Sequence, residues 1–381
     1  MKRILYSILM VMTVNIVSAQ EKSVSKVEWS VAAMLPPVAG LLVQPGVAGP
    51  VTGISNGMLI VAGGANFPDA LPWNGGIKKY KQDIYIFRQD EKGHVLPGNV
   101  SRQTLPQAVA YSANVSMPDG LIYIGGENNN GPAGNVIRLT CNNAGEINFT
   151  PLPPLPLPLT NLSAAGSGHI LFVAGGESVN GVSGRFFSLD LSTPGAAWQT
   201  LQDVPVAVSH AVMAIQDGGV YLIGGRRKNS NGISDIFNTT YRYDLHTDKW
   251  ALKEPLPYAV SAGTGLAIGT HEIMFCSGDK GDVFSKGEEL NVAISNTTDA
   301  LKKETLTSER KMLMNTHPGF TKEVLLYNTV SGRWKTITPF PMEGPVTTTA
   351  LLWNGTVIIP SGEIKAGVRT PVIISGKLFF N

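Results

Sequence analysis

The stretch VIIPSGE, residues Val357–Glu363, is a β-rich run that ends in a small residue and a glycine. It is the last of six similar copies in the chain. The other five are LIVAGGA, IYIGGE, LFVAGGE, VYLIGGR and IMFCSGD, at Leu59–Ala65, Ile122–Glu127, Leu171–Glu177, Val220–Arg226 and Ile273–Asp279. Most copies follow one another at roughly 50 residues, which is the period of a repeat architecture. The 381 residues are therefore interpreted as an array of one supersecondary unit.

Each unit carries further markers. A β-run such as HAVMAI (His210–Ile215) precedes the glycines, and an aromatic run such as TYRYDL (Thr240–Leu245) follows them. A tryptophan then leads to a hydrophobic residue and a proline. One such marker, Trp29, stands upstream of every glycine pair, whereas the last copy is followed by only one more β-run, Pro371–Phe380. The strand of Trp29 is therefore predicted to complete the last unit and close a ring.

Four-stranded units of about 50 residues with Gly-Gly and Trp markers resemble kelch repeats, which build β-propellers. One such sheet cannot bury both of its faces alone, so the units pack radially around an axis. The predicted fold is all-β, a six-bladed kelch-type β-propeller over residues 20–381. Its last blade is closed by the N-terminal strand.

The fifth interval between copies is longer than the others. The extra residues lie in a segment predicted as a helical insertion in the fifth blade, residues 279–322. Within it, Asp299–Met314 is rich in good helix formers. The insertion is either a decorative helix packed on a blade or a wall of a pocket. The sequence supports both interpretations equally.

The N-terminus has the pattern of a secretory signal peptide over residues 1–19. Lys2 and Arg3 precede an apolar run, and Val17-Ser18-Ala19 supplies small residues for cleavage after Ala19. A membrane anchor is the alternative, but Asn15 and the shortness of the run argue against it. The formal net charge is +2, and removal of Lys2 and Arg3 would leave the chain neutral. The mature chain is thus not expected to bind nucleic acid or to insert in a membrane.

Nucleophilic, metal and nucleotide sites find little support. Cys141 and Cys276 could pair in an oxidising compartment, but two buried thiols are the favoured state. The histidines, including His210 and His271, lack metal-ligand spacing and are expected to be structural or exposed. The sequence has no glycine-rich phosphate loop and no nucleophile elbow. No metal or organic cofactor is expected.

The residues directly after the six small-residue–glycine pairs are predicted to share one end of the propeller, because they occupy equivalent places in the repeat. They are Ala65, Glu127, Glu177, Arg226, Asp279 and Glu363. Polar residues are common after strands, so position alone selects none of them as catalytic. Glu127, Glu177, Arg226 and Asp279 are predicted as substrate-binding residues. The acidic pair Glu288-Glu289 and the pair Lys302-Lys303 are expected to be solvated in the insertion.

The chain resembles the N-acetylneuraminate epimerase (sialic acid mutarotase) family of exported kelch propellers, in a circularly permuted form. The resemblance rests on the stretches Gly53–Phe67, Gly75–Phe87, Gly224–Asn238 and Ser361–Thr370. The last is the most specific, since the family has an acid followed six positions later by an arginine, both implicated in activity. Glu363 and Arg369 occupy those positions here. The family's arginine-containing stretch before the second blade reads Gln107–Tyr111 here and lacks the arginine.

The resemblance implies interconversion of the α- and β-anomers of N-acetylneuraminate, with Glu363 transferring the proton and Arg369 holding the sugar carboxylate. The expected partner is a small sugar acid, with a homodimer as one candidate assembly and the periplasm as the expected location. A non-catalytic kelch propeller that binds a glycan or a protein is the alternative. Sialidases and copper-radical oxidases are disfavoured, because their sequence boxes and ligand patterns are missing.

Overall fold

The computed structural model describes residues 23–38, 40 and 42–381. Their strands form six four-stranded antiparallel sheets, and the predicted six-bladed propeller is confirmed. The signal peptide predicted for residues 1–19 lies outside the described residues. Within the described part of the chain, no helix is long and apolar enough to cross a membrane.

Each blade runs from an inner strand near the axis to an outer strand. The first three blades contain the strands Val51–Ser55, Met58–Ala62, Ile84–Phe87 and Asn99–Val100; Ala113–Met117, Gly120–Ile124, Val136–Cys141 and Ile147–Leu152; and Ser163–Ser167, Ile170–Ala174, Phe186–Asp190 and Gln199–Thr200. The next three contain Val212–Gln216, Gly219–Ile223, Thr240–Asp244 and Lys249–Leu252; Thr264–Ile268, Glu272–Cys276, Val324–Asn328 and Arg333–Thr336; and Leu351–Trp353, Thr356–Pro360, Val372–Phe380 and Val24–Met34. The second strand of each blade is the one that ends at the small-residue–glycine pair.

The sixth blade is closed by the N-terminal strand, as predicted. Val24–Met34 pairs antiparallel with Val372–Phe380, and Trp29 lies opposite Gly376. A Cβ atom at position 376 would lie only 2.4 Å from the indole ring of Trp29. Glycine is therefore needed there, because the indole packs directly over the backbone of the neighbouring strand. The pairing joins the two ends of the chain, and the ring of blades has no open seam.

The tryptophan markers link neighbouring blades. Each donates its indole N–H to a backbone carbonyl in the segment that follows the outer strand of the preceding blade: Trp29 to Thr338, Trp198 to Pro153, Trp250 to Gln202 and Trp334 to Glu254, at 2.8–3.0 Å. The marker therefore recurs because each indole buries a large apolar ring and still has an acceptor for its polar edge.

The core is divided among the blade interfaces. Between the third and fourth blades, Phe186 packs edge-on against Tyr243 with ring centroids 4.9 Å apart, and Trp250 covers both rings. Similar buried clusters fill the other interfaces. Full burial of one such side chain contributes about 1.5–3 kcal/mol, so the radial stack is stabilised chiefly by these layers.

A closed ring of backbone hydrogen bonds surrounds the axis. Six residues, one at the entry to each blade, each donate an amide N–H to the carbonyl of the equivalent residue in the preceding blade, at 2.7–3.0 Å: Gly49, Tyr111, Asn161, His210, Ala262 and Thr347. All six have φ between +50° and +61°, a left-handed conformation that costs a non-glycine residue about 1–2 kcal/mol. The hydrogen bonds hold that conformation, so the ring is a fixed floor at one end of the propeller. We call it the axial ring.

Five blades carry a two-stranded hairpin directly above the axial ring: Ala65–Asn66 with Lys79–Tyr80, Glu127–Asn128 with Gly131–Pro132, Glu177–Ser178 with Gly181–Val182, Arg226–Lys228 with Ser234–Ile236, and Glu363–Lys365 with Val368–Arg369. In the fifth blade two helices take that place, α1 (Asp282–Asn296) and α2 (Ala300–Asn315). The predicted helix matches α2, and the Asp299 side chain caps it by accepting from the Lys302 amide. Helix α1 was not predicted.

The predicted solvation of Glu288 is wrong. Its carboxylate is only 7% exposed and accepts hydrogen bonds from the Ser234 amide at 2.7 Å and the Ser234 hydroxyl at 3.0 Å. Lys228 pairs with it at 3.2 Å. These hydrogen bonds compensate the cost of burying the Glu288 carboxylate. Through them, α1 docks on the fourth blade. The neighbouring Glu289 is exposed, as are Lys302 and Lys303.

Cys141 and Cys276 are free and buried. The favoured prediction of two buried thiols is thereby confirmed. Burial raises the pKa of both thiols, which keeps them protonated and unreactive near neutral pH.

Candidate active site

A cavity of about 440 Å³ lies above the axial ring and beneath the helical insertion. That volume is within the range of small-molecule sites, about 300–1,000 Å³. Five of the six residues that follow the small-residue–glycine pairs line it: Glu127, Glu177, Arg226, Asp279 and Glu363. The side chains of the axial ring form its floor, and residues of α1 and α2 form its roof. The repeat therefore brings the predicted residues together, and the insertion is a wall of the pocket rather than a decoration.

Glu363 occupies the sixth blade's part of the wall. Its backbone bridges to Val346, and its Oε1 accepts the amide of Gly367 at 2.6 Å across the tight hairpin turn. Arg369, the pairing partner of Glu363 in the hairpin, also approaches Oε1, at 3.4 Å. Burial raises the pKa of Glu363, with opposition from Arg369 and the Gly367 amide and reinforcement from Asp279. A carboxyl group whose pKa is moved toward neutrality can both give and take a proton.

Arg369 lies behind Glu363 rather than in the cavity wall. Its side chain is only 5% exposed, and its guanidinium group stacks on the ring of Phe67 at 4.7 Å. The Tyr111 side chain also contacts it. In this conformation Arg369 is therefore placed to act on the charge of Glu363, and the carboxylate-binding role predicted for it stays a prediction.

Glu177 holds the equivalent place in the third blade, with different neighbours. The Ser209 hydroxyl donates to Oε1 at 2.7 Å, and the Asn161 amide approaches Oε2 at 3.4 Å. Burial would raise the pKa of Glu177, but the hydrogen bond from Ser209 and the positive charge of Arg226 favour the carboxylate, and the pKa is lowered. Glu177 is thus a fixed negative charge in the cavity.

Arg226 connects the fourth blade to the roof. Its Nη2 lies 2.8 Å from Nε2 of His210, and its guanidinium group packs over the Phe284 ring of α1 at 4.5 Å. Because a guanidinium can only donate, Nε2 of His210 is an acceptor here and the imidazole is neutral. This agrees with the lowered pKa of His210, which results from burial and from the charge of Arg226.

Glu127 is paired on the second blade's side. Lys78 approaches its Oε1 at 3.1 Å, and the Tyr80 hydroxyl donates to the same oxygen at 2.7 Å. Burial and the bond to Glu127 raise the pKa of Tyr80 to about 12, so the phenol stays protonated. Lys78 also lies over the ring of Tyr111 at 5.1 Å, which gives the cavity an aromatic surface beside this ion pair.

Asp279 starts the insertion. Its Oδ1 accepts the Gly281 amide at 2.8 Å and so fixes the turn that leads into α1. Above it, His317 is buried, and burial lowers the pKa of its imidazole. Within the described residues, no group of three or more His, Cys, Asp or Glu side chains is placed to hold a metal ion.

Several polar residues of the cavity were not predicted from the sequence, among them Lys78, Tyr111, His210 and Arg310. Tyr111 and His210 belong to the axial ring, so alignment of the residues two positions before each inner strand could have found them. Lys78 lies in the first hairpin, within a stretch that was already recognised by resemblance. Arg310 had no signal, because its place depends on how α2 folds back over the axis.

The family profile and two relatives that match this chain carry the same name. The family profile described as N-acetylneuraminate epimerase matches residues 12–147 and 152–380. An N-acetylneuraminate epimerase of Haemophilus influenzae is 26% identical over 228 residues, 59% of either chain. One of Brucella melitensis is 26% identical over 233 residues, 58% of this chain and 57% of the relative. The chain thus spans about three fifths of the curated relatives it matches.

A solved structure, titled "Structure of YjhT", superposes with a TM-score of 0.51 at 20% identity and covers 60% of this chain and 66% of that one. This likeness supports the fold. The permuted order of the segments stays a prediction. The profile match extends over most of the chain, and on that ground the chain belongs to the N-acetylneuraminate epimerase family.

Proposed function

We propose that the protein interconverts the α- and β-anomers of N-acetylneuraminate by general acid–base ring opening and reclosure. The observation that carries this proposal is the position of Glu363, which lines an axial cavity and has a pKa raised by burial. Family membership supplies the substrate class, since the relatives are named for that sugar.

The chemistry requires balanced proton movements. On opening, Glu363 as carboxylate takes the proton of the anomeric hydroxyl, the bond from the anomeric carbon to the ring oxygen breaks, and water protonates the ring oxygen. The anomeric carbon becomes a ketone carbon. Rotation about the single bond that joins it to the rest of the sugar turns its other face toward the former ring hydroxyl. On reclosure the former ring hydroxyl attacks the ketone and returns its proton to water, while Glu363 gives its proton to the ketone oxygen. General acid–base catalysis of this kind contributes about 10²–10⁴-fold in rate.

Arg369 supports this cycle through Glu363. Its guanidinium group lies 3.4 Å from Oε1 and favours the carboxylate form, while burial favours the acid form. The two influences oppose each other, and burial prevails, so the pKa of Glu363 is raised. We therefore propose that Arg369 positions Glu363, in place of the carboxylate-binding role that the sequence predicts for it.

The test follows, by NMR, the equilibration of freshly released α-anomer with Glu363→Gln, which keeps the shape and removes the proton transfer. We expect a loss of about 10²–10⁴-fold in kcat with unchanged folding. Glu289→Gln is the matched control, because Glu289 is exposed on α1 and should have no effect. A non-catalytic propeller would bind the sugar without any acceleration by the wild-type protein. Full activity of folded Glu363→Gln would contradict the assignment.

A further inference from the structure

Arg310 is the residue through which α2 reaches the cavity. Arg310 and Met314, one helical turn apart, line it together, and His317 continues the same surface just beyond the helix. On α1 the residues Val283, Gly287 and Asn291 do the same at four-residue spacing. Each helix therefore turns one face toward the cavity, and α2 contributes one cation to that face.

Arg310 differs from the other cations of the site in having no partner. Lys78 pairs with Glu127, Arg226 is held by His210 and Phe284, and Arg369 is turned to Glu363. Among the described residues, Arg310 makes no ion pair and no side-chain hydrogen bond. Its Nε is buried without an acceptor, as is the Nε of Arg369, but the guanidinium group of Arg369 also pairs with Glu363. A buried donor left unpaired costs free energy, so its retention needs a reason.

The charges of the cavity indicate what would supply the missing acceptor. Glu127 faces Lys78, the ionised Glu177 faces Ser209, Asn161 and Arg226, and Glu363 is held toward its neutral form. Of the other two acids that line the cavity, Glu288 pairs with Lys228 and accepts from Ser234, and Asp279 accepts the Gly281 amide. The positive charge of Arg310 is therefore not paired within the protein and is free to pair with an anionic group of the ligand.

We propose that Arg310 binds the carboxylate of the acidic sugar, which makes the helical insertion a substrate-recognition element. Arg310 lines the cavity, and a carboxylate bound there can receive two parallel hydrogen bonds from its guanidinium group. The sugar is thereby held from the roof, while its anomeric centre faces Glu363 on the wall. This inference rests on the proposed function, because it assumes that the ligand is a sugar acid.

The experiment measures the binding of N-acetylneuraminate and of its methyl ester, which lacks the negative charge, by calorimetry. The wild-type protein should bind the acid roughly 10- to 100-fold more tightly than the ester, as expected for a charge-assisted bidentate contact. In Arg310→Gln this preference should fall to within about threefold, and Arg310→Lys should recover part of it because charge is kept but the planar fork is lost. Lys311→Gln, an exposed neighbour on the same helix, should behave as wild type.

Kinetics separate recognition from a structural role. Arg310→Gln should raise KM with little change in kcat, which is the signature of a lost uniform binding contact. Its melting temperature should not fall, since no protein partner is lost. Retention of the acid preference by folded Arg310→Gln overturns the inference while leaving the function intact. A wild-type protein that neither binds nor equilibrates the sugar overturns both.

Discussion

The third and sixth blades carry a glutamate at the same position of the repeat, yet the two carboxyl groups have opposite properties. Glu177 and Glu363 each follow a glycine, and each bridges the segment that enters its own blade. The pKa of Glu177 is lowered to about 2, whereas the pKa of Glu363 is raised. The repeat thus determines the backbone position of each carboxylate. The side chains around it, which differ between the blades, determine whether its pKa is lowered or raised.

The neighbours explain the difference. Glu177 receives a hydroxyl from Ser209 and an amide from Asn161, and these donors stabilise the charged form. Glu363 receives only the Gly367 amide and the more distant Arg369 within a more enclosed setting. Its side chain is 17% exposed, compared with 32% for Glu177. Desolvation therefore raises the pKa of Glu363, whereas hydrogen-bond donors lower the pKa of Glu177.

The largest expected effect is on the rate of the proposed anomer conversion. Because only a group that changes its protonation state can carry the proton, Glu363→Gln should reduce kcat by about 10²–10⁴-fold. Glu177→Gln removes a fixed charge and should reduce kcat by less than about tenfold. NMR equilibration rates of the two variants under identical conditions check this. Equal losses in both would show that position, not environment, decides the role.

The pH dependence of stability should have opposite sign in the two variants. The stabilisation from ionised Glu177 is complete above the usual carboxyl pKa of 4.5 and is lost as pH falls toward about 2. At pH 7, Glu177→Gln should therefore lower the free energy of unfolding by about 1–2 kcal/mol, a value discounted for partial exposure, and near pH 2.5 the difference should shrink.

Glu363 behaves in the reverse way. Since its pKa is raised, the folded state favours the protonated acid, and that stabilisation is present at low pH and lost as pH rises. Glu363→Gln should thus gain stability relative to wild type with increasing pH. Urea unfolding of both variants between pH 3 and pH 8 measures the two trends. Parallel trends would contradict the assigned environments.

The two glutamates also separate what the sequence could predict from what it could not. The six blades, the closure by the strand of Trp29 and the common end of Glu127, Glu177 and Glu363 were predicted, because repeated glycines and tryptophans record repeated backbone geometry. Ser277 and Ser361 support this, since both adopt the positive φ of the glycines that they replace. A local pattern that recurs six times is therefore enough to predict the number of blades and their arrangement.

The chemistry of the site depends on contacts that occur once. Helix α1, the burial of Glu288 against Ser234 and the place of Arg310 all follow from the docking of a single insertion on a neighbouring blade. The neutral state of His210, in the axial ring, follows from its contact with Arg226, in the hairpin of the same blade. Periodicity contains no information on such contacts, because the residue types that make them differ from blade to blade even where the backbone positions are equivalent.

A smaller effect should follow from changing the donor of Glu177. Ser209→Ala removes a 2.7 Å hydrogen bond at a buried position and should lower the free energy of unfolding by about 1–2 kcal/mol. The pKa of Glu177 should rise, since one stabilising donor is lost. NMR titration of the labelled carboxyl carbon follows this rise. Ser178→Ala, in an exposed hairpin, is the control. An unchanged titration of Glu177 in Ser209→Ala would refute a contribution of the Ser209 hydroxyl to the lowered pKa.

The smallest effect concerns the axial ring, the floor that both carboxyl groups share. Ala262 has φ of +58°, which is unfavourable for alanine but free for glycine. Ala262→Gly should therefore raise the free energy of unfolding by about 0.5–1 kcal/mol, with the entropy lost by glycine included. Ala214→Gly, in the buried strand Val212–Gln216, should instead cost about 1 kcal/mol. Calorimetric melting temperatures of Ala262→Gly and Ala214→Gly measure the two effects. A more stable Ala262→Gly would show that the hydrogen bonds of the axial ring, rather than its side chains, hold its residues in the left-handed conformation.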